Sequence, residues 1–260
     1  MPPIYYLALG FAFTLGACIG SFLNVCIYRI PAGESIVSPP SRCPNCGAGI
    51  RWYQNIPILS YLLLGGKCAS CKVRISPRYP LVEALTGLLF VLVLYYFGIS
   101  WATPVYWLFV ATLVVITFID LDHQIIPDVI SLPGIPIGFA CSFAIPWISW
   151  SDSLLGILIG GGSLFLVAFV YELLTKKEGM GGGDIKLLAM LGAFLGWKAV
   201  LPIIFISSLL GSLVGVPVML LKKADSKLAI PFGPFLAAGA LIFLFWGRAI
   251  IHWYLSFFVT

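Results

Sequence analysis

TPVYWLFVATLVVITFIDLDHQIIPD, residues 103–128, holds no charged side chain until Asp120. A run of that length approaches the roughly 20 apolar residues a helix needs to cross a bilayer, and it stops on a carboxylate. Working outward, runs of the same kind cover 4–28, 81–98, 129–149, 153–174, 199–221 and 233–257, with a shorter one at 185–197. The chain is 60% hydrophobic and 10% charged, with a mean hydropathy of +1.05. A soluble domain carries about 25% charged residues, so too few polar side chains remain here to cover a water-facing surface. The expectation is an all-α polytopic membrane protein of about eight transmembrane helices. No Lys or Arg precedes the first run, which reads as a retained helix over 1–28 and not as a cleavable signal.

The charges orient the runs. Residues 29–80 hold Arg29, Arg42, Arg51, Lys67, Lys72, Arg74 and Arg78 against Glu34 alone. Positive loops stay inside, which makes this insert cytoplasmic and the N-terminus external. If 185–197 also crosses, the inner regions are 29–80, 121–128, 175–184 and 222–232. Every basic residue except Lys198 and Arg248 then falls in one of them or, as Lys186, beside one. Without that crossing, Lys222, Lys223 and Lys227 would move outside, so eight crossings is the better count. Basic residues parcelled between apolar runs in this way indicate a lipid environment and not a nucleic-acid partner. The expected organisation is a first helix over 1–28, a polar insert over 29–80, and a seven-helix membrane domain over 81–260.

The insert contains Cys43-Pro-Asn-Cys46 and Cys68-Ala-Ser-Cys71, two C-x-x-C pairs separated by 21 residues and flanked by Gly47, Gly65 and Gly66. Four thiolates satisfy tetrahedral zinc and leave no open coordination position, so the pattern predicts a structural, zinc-ribbon-like site. Paired disulfides are the alternative, and a reducing cytosol disfavours them. Cys18, Cys26 and Cys141 lie in apolar runs and read as small buried hydrophobes.

Acidic residues are scarce, which gives their positions weight. Asp120 closes an apolar run; Asp184 follows Gly179-Met180-Gly181-Gly182-Gly183 and opens the next run. The topology puts both at the cytoplasmic membrane edge. A charged carboxylate costs about 2.5–3.5 kcal/mol at a helix centre in the bilayer, and two carboxyls brought together share one proton. Such a pair can activate water as a base and protonate a leaving amine as an acid. Gly181 and Gly183 are candidates for close backbone approach. Asp122 and Asp128 fit solvated or helix-capping roles as well as supporting ones, Asp184 also fits a plain helix-start residue, and His123 fits an interfacial polar residue. Lys186 is placed to balance Asp184. On residues alone, three activities stay open: a peptidase, a phosphotransferase holding Mg²⁺ on Asp120 and Asp122, and a proton-relaying transporter.

The ordered motifs narrow this choice. Gly20-Ser21-Phe22-Leu23-Asn24-Val25 with Tyr28-Arg29-Ile30-Pro31, the cysteine insert, Arg78-Tyr79-Pro80-Leu81-Val82-Glu83, Asp120 to Asp128, and Gly179 to Lys186 follow one another along nearly the whole chain. In that combination the chain resembles the bacterial type IV prepilin peptidases, inner-membrane G-x-G-D aspartic peptidases that also serve type II secretion. The resemblance implies that Asp120 and Asp184 are the catalytic pair. It implies cleavage of the basic leader of prepilins and pseudopilins at the cytoplasmic face, with methylation of the new N-terminus by S-adenosylmethionine in many members. No nucleotide-type glycine fingerprint marks a methyl-donor pocket, and the sequence assigns it no residue.

Overall fold

The structure is a computed structural model that describes residues 3–176, 181–222 and 231–256. Gly179 and Met180 of the glycine stretch, and the loop lysines Lys177, Lys223 and Lys227, lie outside the described residues. The helices are α1 (Pro3–Arg29), α2 (Leu59–Leu63), α3 (Arg78–Phe97), α4 (Ala102–His123), α5 (Asp128–Cys141), α6 (Trp150–Thr175), α7 (Gly182–Leu195), α8 (Trp197–Lys222) and α9 (Gly233–Ser256). Among the described residues there is no strand beyond two isolated bridges. Apart from the five-residue α2, eight helices correspond to the eight expected runs, but not to eight full-length spans: among the described residues six are long and apolar enough to cross a membrane, while α5 and α7 have 14 residues each. Large apolar side chains such as Leu7, Leu173, Leu201 and Phe205 are exposed along them; lipid is the solvent that such surfaces require.

Two of the expected runs come out shorter. The run 129–149 is helical only to Cys141 and then turns. Ser142 Oγ donates to the Phe139 carbonyl at 2.7 Å at the helix end, and Pro146, which disfavours helical geometry at Ile145, keeps the helix from resuming. The run 185–197 is α7, which ends where Gly196 takes a left-handed φ of 78° and donates its N–H to Gly192 O.

Two compact units divide the chain between Val115 and Ile116. The first holds α1, the insert, α3 and the start of α4, so the expected segments 1–28 and 29–80 share a unit with α3. Helices α1 and α3 pack through small residues: a Cβ at Gly16 would stand 2.8 Å from Gly87 Cα, and one at Gly20 would stand 2.7 Å from Glu83 Cα. Such seams let helix backbones close together in a bilayer. Asn24 Nδ2 donates to the Gly20 carbonyl within α1 and to the Tyr79 carbonyl across that seam, at 3.2 Å each. The buried Glu83 carboxylate accepts the Ile58 N–H at 2.7 Å and tethers the insert to α3. The start of α4 packs on α3 through stacked Phe90 and Trp107 rings, whose centroids lie 5.0 Å apart.

The second unit is built around α7. Every residue from Leu187 to Leu195 is buried, with α5, α6, α8 and α9 packed against the helix. Glycines on the neighbours make room: Gly134 and Gly138 of α5 face Met190 and Phe194, and Gly156 and Gly160 of α6 lie against the Gly192 and Leu188 carbonyls. Ser153 Oγ donates to Ala193 O at 2.8 Å. A 14-residue helix is about 21 Å long, short of the roughly 30 Å hydrocarbon core. Because protein encloses it, α7 does not have to match the bilayer.

Candidate active site and metal centre

In the last turn of α4, Asp120 is 4% exposed. Its Oδ2 accepts a hydrogen bond from the backbone N–H of Gly233, the first residue of α9, at 2.8 Å. Asp184 lies in the first turn of α7, half-buried, and is close enough to Asp120 for the two carboxyls to interact electrostatically. The fold of the second unit therefore places within electrostatic range two acids separated by 64 positions in the chain.

The start of α7 is held from two sides. Lys186 Nζ donates to both carboxylate oxygens of Asp128, at 2.7 and 2.8 Å, which joins α7 to the first turn of α5. The lysine expected to balance Asp184 thus pairs with Asp128. The residue count explains this choice, because Lys186 is two positions past Asp184 and points to a different side of the helix. Gly183 lies under Ile126, whose Cβ would be 3.0 Å from a Cβ placed there. Gly181 has φ −67° and ψ 136°, open to any residue, with nothing within 4 Å of its Cβ position. It leaves room beside Asp184 and supplies no special backbone geometry. Asp122 is exposed at the end of α4.

Sequence reasoning missed Gly233. A backbone donor carries no side-chain signature. The only signal was Pro231-Phe232-Gly233-Pro234 at the head of the last run, a helix-start pattern with Pro in the first turn. Glu83 stood in a quoted motif without a role; it is a buried anchor for the insert.

In the first unit, the cysteine pairs form two matched knuckles. Bridges Arg42–Gly49 and Lys67–Arg74 close one around each pair. Cys43 N–H donates to Ala48 O, and Cys68 N–H donates to Val73 O, both at 2.9 Å. The residue after each second cysteine, Gly47 or Lys72, is left-handed. All four Sγ atoms lie within 4.8 Å of one another, and Cys43 Sγ and Cys71 Sγ are 3.8 Å apart. Four sulfurs at about 2.3 Å from a tetrahedral zinc stand about 3.8 Å apart. The N–H groups of Cys46 and Asn45 hold the Cys43 thiol below its usual range, and the Val73 N–H, followed by the Asn45 side chain, lowers Cys71 to about 6. The Ala48 N–H favours a thiolate at Cys46, but hydrogen bonding with Cys71, then burial, then Cys43 and Cys68 push that thiol up to about 11. The cluster is organised for thiolates whose mutual repulsion a divalent cation would relieve. Among the described residues it is the one group of three or more candidate metal ligands, and no disulfide is formed.

Comparison with known proteins agrees with this arrangement. The family described as "Bacterial Peptidase A24 N-terminal domain" matches residues 14–97, and that described as "Type IV leader peptidase family" matches 107–216. A prepilin leader peptidase/N-methyltransferase of Pseudomonas aeruginosa is 42% identical over 286 residues, covering 99% of both chains. The chain belongs to the type IV leader peptidase family. Enzymes of the same name from Stutzerimonas stutzeri, 40% identical with 99% of both chains covered, and Neisseria gonorrhoeae, 44% identical over 91% of this chain and 90% of the relative, are further members of the leader peptidase family. No solved structure matches the chain.

Proposed function

We propose that this protein is a membrane aspartic endopeptidase that removes the basic leader of type IV prepilins and pseudopilins and N-methylates the exposed N-terminus. The observation that carries the reading is the placement of Asp120 and Asp184 at helix ends of one compact unit, within electrostatic range of each other, in a chain whose full-length relatives bear the name prepilin leader peptidase/N-methyltransferase. One carboxylate takes a proton from water as it attacks the scissile carbonyl, and the other carboxyl gives its proton to the departing amine. Gly181 leaves space beside Asp184 for an extended peptide, while Gly183 and the Lys186–Asp128 pair hold the start of α7. S-adenosylmethionine is the methyl donor that the second activity requires.

The distribution of basic residues supports placing the insert, and the ends of α4 and α7 that bear the acids, on the cytoplasmic side of a bacterial inner membrane. A prepilin has its basic leader on that side and its apolar helix in the bilayer, so the bond to be cut lies at the depth of the two acids. Zinc is the cation proposed for Cys43, Cys46, Cys68 and Cys71: the site is closed, so it stabilises the insert and takes no part in hydrolysis.

Mass spectrometry of a prepilin co-expressed with the protein tests this. Wild type should yield pilin shortened after a glycine and heavier by one methyl group. Asp120→Asn and Asp184→Asn should each lower cleavage by about 10³-fold or more while leaving the protein inserted and methylation of a pre-cleaved pilin intact. Leader removal undiminished in either variant would contradict the assignment.

A further inference from the structure

Gly233 contributes two features to Asp120. Its N–H, at the head of the 24-residue α9, donates to Asp120 Oδ2 at 2.8 Å in a buried setting. The first N–H groups of a helix lack partners within the helix and carry its partial positive charge, so this donor favours an ionised acceptor. The missing side chain matters as much. A Cβ at position 233 would lie 2.6 Å from Asp120 Oδ2, 3.2 Å from its Cγ and 3.4 Å from its Cβ. Gly233 is not among the positive-φ residues, so the glycine serves close approach and not an unusual conformation. Only a residue without a side chain lets the carboxylate settle on the helix end.

We propose that Gly233 is a positioning residue of the Asp120–Asp184 pair: its N–H pins Oδ2 and keeps Asp120 the ionised member, leaving Oδ1 as the oxygen that takes a proton from water. This rests on the pair being catalytic. The pair then starts with its single proton on Asp184. As water attacks, its O–H bond breaks, the proton goes to Asp120 Oδ1, and the C–O bond forms. Asp184 gives its proton to the amide nitrogen as the C–N bond breaks. The proton on Asp120 then returns to Asp184, and the pair is reset with atoms and charge balanced.

The test compares Gly233→Ala with Gly239→Ala in purified full-length protein, using prepilin cleavage followed against pH. Gly239 lies in the same helix, and its Cβ would stand 2.6 Å from Ser207 Oγ, so it reports crowding of α9 away from the acids. Displacing a reacting group by about 1 Å costs on the order of 100-fold. Gly233→Ala should therefore lower kcat by about 10- to 100-fold with KM unchanged, and should move the acidic limb of kcat/KM toward higher pH, because a carboxylate that loses a donor is protonated more readily. Gly239→Ala should leave the limb in place. Wild-type kcat and pH profile in Gly233→Ala, or equal effects in both variants, would overturn the proposal. If Gly233→Ala fails to accumulate, recovery in Gly233→Ala/Asp120→Ala supports the close approach, and continued absence overturns it. Asp120→Asn measured in parallel separates the failures: full cleavage there refutes the catalytic pair itself, whereas loss there with a normal Gly233→Ala refutes only the role of Gly233.

Discussion

Lys186 and Asp128 show what a polar contact near the site contributes. Both are partly exposed, at 36% and 56%, and an exposed ion pair is worth about 0–1 kcal/mol. Lys186→Met should thus lower thermal stability in detergent only slightly, and the difference should fade in high salt as screening removes the attraction. Its larger effect should be on cleavage, by a few-fold, since it ties the α7 segment bearing Asp184 to α5. Asp122 is a different case: exposed at the end of α4, it is suited to attract a basic leader if that end carries the site. Asp122→Lys should raise KM for a basic-leader prepilin more than it alters stability, and an unchanged KM would remove Asp122 from substrate binding. At this scale the sequence made the acids legible because carboxylates are rare in apolar runs. It could not show which cation pairs with which anion, because Lys186 stands two residues from Asp184 and its partner lies 58 positions away.

The helix α7 combines marginal length with burial of every residue from Leu187 to Leu195. Its 14 residues cannot span by themselves, and what holds them is contact with α5 and α6 through Gly134, Gly138, Gly156 and Gly160. The Gly156 and Gly192 backbones touch so closely that a methyl on either would penetrate the other's carbonyl. Gly192→Ala should therefore cost at least about 1–3 kcal/mol, the usual range for overpacking, visible as a lower unfolding temperature or reduced protein in the membrane. A fully stable Gly192→Ala protein would show that α6 and α7 are not packed this way. The apolar runs marked these helices well, since a spanning helix leaves an unmistakable compositional trace. Their ends were less legible: α5 stops at Cys141, but hydropathy continues through Ala144, Ile145 and Trp147 as though the helix did too. The glycines of α5 and α6 gave no hint of their partners, because close approach depends on tertiary packing.

For the molecule as a whole, the cysteine cluster lies in one compact unit and Asp120 and Asp184 in the other. The cysteine spacing alone predicted the metal site, and the matched knuckles fit it. Cys68→Ser/Cys71→Ser should lose bound zinc, read by elemental analysis, and should expose 29–80 to proteases, because the metal's binding energy is folding energy for so small an insert. Zinc content unchanged by that double substitution would rule out the cysteines as ligands. In the second unit, hydrolysis needs no metal if Asp120 and Asp184 act together on one proton. The kinetics of the double variant Asp120→Asn/Asp184→Asn, set beside each single variant, measures that directly. Groups that work as one unit are strongly non-additive, so each single change should bring prepilin cleavage down to the level of the double, with no further loss on combining them. Multiplying losses, or a single variant that keeps a substantial part of wild-type cleavage, would mean the two acids do not form one catalytic pair.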